Sequence, residues 1–342
     1  MIKKPRLLLI ITLNKGVINM NKFKKIGLTA LAGSLVATTA YAGSVSVSGG
    51  ASMGVKNNAG TDGGKSWTMG NQLTFTGGGE LDNGLNVSIS FVLDQGDDHP
   101  AGTASAAVNE TRMDTSPFDS HSITVSSDSL GSLNMAGEGG SSAQSALDTT
   151  AAGDIWDNGF GTASPAASDT ASGMLLYTLP SVMDELSAQV SYSAGGAGKE
   201  SSTAIGLTYT GVEGLSVSYG TGELSTKTAN ASGDATTMKA SYAMGSFTAA
   251  ISNTEVDYDG TGNDDEVDSF KLSYTITDDL SITYGEETHE TSGSSIDEEV
   301  ESISASYTTG GMTVTAAQID ASGVDHTAGD KERWKLGVSF AF

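Results

Sequence analysis

From Val45 to the final residue, apolar side chains recur at every second position, in short runs separated by polar or glycine-rich breaks. The last nine residues carry the pattern most plainly. Trp334, Leu336, Val338, Phe340 and Phe342 alternate with Lys335, Gly337, Ser339 and Ala341. Successive side chains of a strand point to opposite faces, so this segment has one large apolar face and one small or polar face. Chain ends usually fray. A strand that stops on a bare aromatic carboxyl terminus makes sense if it pairs with the first strand and closes a barrel.

The same alternation runs back through the chain. Val45, Val47, Gly49, Ala51, Met53 and Val55 set a first strand, and Leu85, Val87, Ile89, Phe91 and Leu93 a third. The second half is cleaner, as in Ile205, Leu207 and Tyr209 or Leu280, Ile282 and Tyr284, and the count reaches sixteen strands. Connections alternate in length. Short ones are Asp128–Gly131, Pro180–Glu185, Gly211–Glu213, Met244–Ser246, Thr277–Asp279 and Thr309–Gly311. Long ones are 57–65, 95–117, 139–172, 194–202, 221–235, 254–267, 287–299 and 320–332. Tyr177, Tyr209, Tyr242, Tyr274, Tyr307 and Phe342 recur every 32 to 35 residues beside the short turns or at the chain end. Trp67, Phe91, Tyr192, Tyr219, Phe270, Tyr284 and Trp334 sit beside the long loops. Even strand number, loop asymmetry and two aromatic levels predict an all-β fold, a sixteen-stranded antiparallel transmembrane β-barrel with girdles at both membrane interfaces. A half-buried soluble sheet also alternates. A secreted acidic β-sheet surface or adhesion protein is therefore the rival reading.

The beginning reads as targeting sequence. Met20–Lys25 is a basic start, 26–39 a mostly apolar stretch and Ala40-Tyr41-Ala42 a small-x-small cleavage signal, so residues 20–42 are expected to be a signal peptide. Residues 1–19 read as an upstream extension ahead of the true start, and 43–342 as the barrel. Seven of the 17 basic residues and none of the 41 acids precede Gly43, which leaves a net charge of −31 on the 300 residues that follow. Such a balance excludes nucleic acid as a partner. The absence of cysteine excludes disulfides and thiol chemistry. After the leader no apolar stretch approaches the roughly 18 residues of a membrane helix, which leaves a closed barrel as the way to span a bilayer.

Local segments resemble the general diffusion porins of Gram-negative outer membranes. Ile123–Gly137 resembles that family's fourth strand, tight turn and fifth strand, and Gly173–Pro180 with Leu186–Tyr192 resembles its sixth and seventh strands. Terminal Phe342 resembles the residue by which such barrels are recognised for insertion. The resemblance implies a water-filled channel for passive diffusion of small hydrophilic solutes and ions, a homotrimer in the outer membrane, and contact with the barrel-assembly machinery and with outer-membrane lipid and lipopolysaccharide. It also implies a third long loop, 139–172, folded inward to narrow the pore. A substrate-selective channel of similar size is the runner-up. Two basic positions common in the family are replaced here, by Glu138 and by the stretch Asp169–Ser172.

With the apolar faces in lipid, the remaining residues give a hydroxyl-rich wall fit for a wide aqueous channel. Lys239, Lys271, Arg333 and Lys335 fall on the inward face. The expected constriction sets these bases across the lumen from Asp148, Asp154, Asp157 and Asp169 of loop 139–172, with Glu138 at its root. Trp156 or Phe160 is expected to anchor that loop. Trp334, Phe340 and Phe342 are the expected closure and insertion signal. The acidic balance predicts a weak cation preference, since negative rims concentrate cations within a Debye length of about 8 Å. Run 257–268 partly matches a calcium loop, with Asp257, Asp259, Asp265 and Asp268 as oxygen donors. No other cofactor is expected. The histidines, His99, His121, His289 and His326, read as scattered and offer no catalytic spacing, so no enzyme is expected.

Overall fold

The computed structural model describes residues 43–57, 64–94, 119–147, 150–153, 155, 160, 168–169, 172–180, 183–196, 200–225, 232–260 and 264–342. Sixteen strands follow one another: β1 Ser44–Asn57, β2 Lys65–Glu80, β3 Asn86–Asp94, β4 Ser120–Ser127, β5 Gly131–Glu138, β6 Met174–Thr178, β7 Leu186–Ser193 and β8 Ser202–Val212. Then come β9 Leu215–Leu224, β10 Gly233–Met244, β11 Phe247–Tyr258, β12 Asp265–Thr275, β13 Leu280–Thr291, β14 Glu298–Thr309, β15 Met312–Ser322 and β16 Asp330–Ala341. Each pairs with its sequence neighbours, and β1 pairs with β16, so the sheet closes. Among the described residues no helix is long and apolar enough to cross a membrane.

The terminal segment closes the sheet as its pattern predicts. Ala51, Met53 and Val55 lie opposite Phe340, Val338 and Leu336. Gly49 and Phe342 exchange both backbone hydrogen bonds, at 2.7 and 3.0 Å. A Cβ on Gly49 would lie 2.7 Å from the Phe342 ring, so the glycine makes room for the terminal aromatic. Where β1 runs out, the Asn57 side chain continues the ladder by accepting the Trp334 N–H at 2.6 Å and donating to Glu332 O at 3.2 Å.

The outward faces are apolar and exposed. Met53, Met238, Ile251 and Ile303 are each more than half exposed. An apolar band of this extent on a protein surface marks contact with something other than water, and each such side chain moved from water into lipid is worth roughly 1.5–3 kcal/mol. The lower aromatics share one height because each pairs with the residue beside a turn: Tyr177 with Leu133, Tyr209 with Leu186, Tyr242 with Leu215, Tyr274 with Phe247 and Tyr307 with Leu280. At the upper level the Lys65 ammonium sits 5.5 Å over the Trp334 ring.

A short turn joins β2 to β3, as the alternation of connection lengths requires, with Leu81 N–H donating to Leu85 O at 2.7 Å. One feature differs from expectation. The long loops between β9 and β16 are shorter than predicted, because pairing continues past the upper girdle; Asp234, for instance, lies opposite Asp257. Beyond the girdle both faces meet water, so apolar alternation fades while the backbone ladder does not. The proposed cleavage site and residues 1–19 lie outside the described residues.

Candidate functional site: a channel with one covered wall

The described residues of loop 139–172 leave β5 and lie along the inner surface of β7–β13. Its backbone is held by inward side chains from successive strands. Ala143 N–H donates to Ser191 Oγ of β7 at 2.9 Å, Ala151 N–H to Ser252 Oγ of β11 at 2.8 Å, and Ala152 N–H to Ser269 Oγ of β12 at 2.8 Å. Ile155 N–H donates to the Glu287 carboxylate of β13, which is fully buried and also accepts from Ser269 Oγ. Gln144, fully buried, donates to Thr237 Oγ1 of β10 at 2.7 Å. Its carbonyl oxygen accepts from both the backbone and the hydroxyl of Ser168 at 2.8 Å, tying the outgoing arm of the loop to the returning one. Two inward glycines let the loop approach: a Cβ on Gly206 would lie 2.3 Å from Ala143 O, and one on Gly220 2.5 Å from the Leu147 side chain.

Farther round, Ile155 enters an apolar cluster of Val267, Val300, Ile319, Ala321 and Val324, and Phe160 packs against it. Phe160 also faces the Arg333 guanidinium at 5.4 Å from the ring centroid. Phe160 is thus a contact between loop and wall; Trp156 lies outside the described residues.

The expected constriction residues are spread differently from the sequence pattern. Lys239 lies beneath the loop, its ammonium donating to Thr150 O at 3.3 Å, and not across the lumen from it. Lys271 shares the inward face of β12 with Ser269, on the loop-bearing wall. The reason is that the loop lies flat on β7–β13, the strands that carry both lysines. Arg333 and Lys335 stand on β16, and Lys335 lies directly opposite Lys56 of β1. Lys56 is an inward base that the sequence reading passed over, since it falls between the apolar alternation ending at Val55 and the loop assigned from Asn57. Alternation along β1 from Ser52 would have placed it inward. Asp169 is not displayed to the lumen: it accepts from Ser225 N–H at 3.2 Å and its own N–H donates to Glu223 O, anchoring the returning arm to the end of β9. Asp148, Asp154 and Asp157 lie outside the described residues. Glu138 follows a bulge that sets it opposite His121, with 3.9 Å between Oε2 and Nδ1.

Of the four acids of the calcium-like run, Asp257, Asp265 and Asp268 lie on strands. Asp257 belongs to β11, while Asp265 and Asp268 belong to β12, three residues apart and therefore on opposite faces. Asp268 accepts from Asn253 Nδ2 at 3.1 Å, and Asp265 lies 3.5 Å from His289 Nε2. A paired hairpin has replaced the loop that the pattern needs.

No curated protein sequence matches significantly. Among solved structures, the chain is similar to a porin refined at 1.8 Å resolution, with a TM-score of 0.64 and 19% identity over 87% of this chain and all of that one. It is similar to the anion-selective porin from Comamonas acidovorans, with a TM-score of 0.62 and 15% identity over 88% of this chain and all of the other. It is also similar to Salmonella typhi OmpF in complex with daunomycin, with a TM-score of 0.65 and 12% identity over 87% of this chain and 97% of that one. The family model described as Gram-negative porin matches residues 27–342. With that match over a closed sixteen-stranded barrel, the chain belongs to the Gram-negative porin family, whose members are non-enzymatic diffusion channels of the outer membrane.

Proposed function

We propose that the protein lets small hydrophilic solutes and ions diffuse passively across the outer membrane, with a weak preference for cations, and that it works as a homotrimer exported by the leader 20–42. The observation that carries the reading is the division of the inner surface. Loop 139–172 occupies the wall of β7–β13 and is held there by Ser191, Thr237, Ser252, Ser269 and Glu287. Among the described residues, the inward face of β16 and β1 carries small residues, hydroxyls and bases. A narrowed, polar passage of this kind sorts solutes by size and charge without a binding pocket for any one of them.

Support for cation preference comes from the outer ends of the strands. There acids stand opposite acids on the exposed face: Glu286 with Glu301, Glu301 with Asp320, and Asp320 with Glu332. Like charges directly opposed on a sheet repel, and the counter-cations they gather enrich cations at the mouth. The inward bases oppose this, which is why the preference is weak. The reversal potential of a planar bilayer under a salt gradient tests it. A small cation-selective potential is expected, and a clear anion-selective one would overturn the proposal. Closure in three equal steps in the same bilayer is the expected trace of a trimer.

A further inference from the structure

We propose that His289, Glu298 and His326 form a binding site for a divalent transition ion of the borderline class, such as Zn2+, Co2+ or Ni2+, at the outer mouth of the channel. His289 and Glu298 are direct partners across β13 and β14. His326 comes from the β15–β16 connection. One donor atom from each lies within 4.8 Å of the others, and the two imidazole centroids are 4.9 Å apart with the rings tilted by 60°. His289 Nδ1 and Glu298 Oε2 are 3.7 Å apart, close to the roughly 3.3 Å that separates two ligands of a tetrahedral ion with bonds of about 2.0–2.1 Å.

The groups around these donors are arranged as a metal site requires. A ligating histidine commonly gives its other ring N–H to a carboxylate or carbonyl, which fixes the tautomer and turns the lone pair toward the ion. His326 Nδ1 is 2.9 Å from Ile296 O, which leaves Nε2 as the donor atom. His289 Nε2 lies 3.5 Å from Asp265 Oδ1, which leaves Nδ1 toward Glu298. Glu298 Oε1 accepts the His326 backbone N–H at 3.1 Å, which leaves Oε2. Hydrogen bonds thus orient His326 and Glu298, Asp265 stands beside the third donor, and water can complete the coordination.

The backbone points the same way. Asp325 and His326 are the non-glycine residues with positive φ among the described residues, at 56° and 51°. The left-handed conformation is disfavoured for residues that carry a Cβ, and here it brings the His326 ring to 4.9 Å from His289 between centroids. Two imidazoles and one carboxylate suit the borderline ions and not Mg2+ or Ca2+, which take oxygen ligands. Val324, in the same connection, packs in the cluster that seats Ile155, so an ion here would fasten the outer connection over the anchor of the constriction loop.

The test is a Co2+ titration of the folded chain in detergent, prepared without a histidine tag, followed by visible absorption and by displacement with Zn2+. One equivalent with ligand-field bands is expected. Asp265→Asn should weaken binding by roughly 10–100-fold, as loss of an outer-shell partner does, and His326→Ala by at least as much. Heat-modifiable migration on gels reports folding. His326 sits on a surface connection, so His326→Ala and His326→Gln decide the matter if His289→Ala fails to fold. Absence of stoichiometric Co2+ or Zn2+ binding, equal binding by His326→Ala, or equal competition by Ca2+ would overturn the site.

Discussion

The two sides of the lumen put the same strand alternation to different uses. On β7–β13 the inward hydroxyls and Glu287 are spent holding a loop, and the inward glycines have no spare room. On β16 and β1 the inward residues are bases and small residues, and two of the glycines have room: a Cβ on Gly50 would have its nearest neighbour at 3.6 Å and one on Gly337 at 3.7 Å, whereas one on Gly54 would press on the adjacent strands, 2.9 Å from Thr68 Oγ1. Glycine therefore has two meanings in one barrel. On one wall it is a docking surface for backbone, and at Gly50 and Gly337 on the other it has room for a side chain. The difference can be broken most sharply at Gly206, where any Cβ collides with Ala143 O. Gly206→Val is expected to displace the loop, with single-channel conductance changed and made noisy while heat-modifiable migration shows an intact barrel. Gly337→Val is expected to give a quiet channel of slightly lower conductance. Matching traces from the two variants would end the distinction.

The next effect is expected at Gln144. Replacing it with Leu keeps the volume but leaves the Ser168 N–H and the Thr237 hydroxyl without the partner they have now. An orphaned buried polar group costs about 1–3 kcal/mol. The returning arm of the loop should open more often, seen as frequent flicker in planar bilayers, with the strand ladder and its resistance to heat unchanged. Protease cleavage within 139–172 checks the same opening independently.

The barrel was legible in the sequence because lipid and water impose opposite demands on alternate residues. Met238, Ala240 and Tyr242 against Lys239 and Ser241 leave little choice of face. The seam was legible for the same reason, since Phe342 had to pair with something. The loop's path was not, because its anchors are serines and a threonine, indistinguishable in sequence from any wet wall. Nothing local separates Ser252, which holds Ala151, from Ser241 of the neighbouring strand. Glu287 looked like one acid among many in an expected loop, and its burial depends on Ile155, 132 residues away. The histidine cluster was hidden in the same way. His289 and Glu298 meet through the register of one hairpin, but His326 arrives through backbone geometry that composition does not encode.

A smaller effect is expected where the walls meet. Phe160 spans them, reaching from the loop to Arg333. A cation over an aromatic face is worth about 0.5–1 kcal/mol at an exposed site. Phe160→Ala should remove this contact between loop and β16. The expected result is a modest rise in open-channel noise, below that of Gln144→Leu, which bilayer recordings at equal voltage can rank.

The smallest effects are those of single lumen charges, and they separate the walls most directly. A unit charge about 10 Å from a passing ion in water contributes about 0.4 kcal/mol, or about a twofold change in relative permeability. Lys56 and Lys335 face each other on the open side, so Lys56→Gln and Lys335→Gln should each move the reversal potential toward cations by about that factor. Lys239 gives its ammonium to Thr150 O beneath the loop, so Lys239→Gln should move the potential less and disturb the loop more. Salt sharpens the contrast. Raising ionic strength to 1 M cuts the Debye length to about 3 Å, which should erase the shifts at Lys56 and Lys335. The noise caused by losing the Lys239 hydrogen bond should remain, because a contact at 3.3 Å is not screened. A larger potential shift at Lys239 than at Lys56 would mean that ions pass along the covered wall, and the division of the lumen would be reversed.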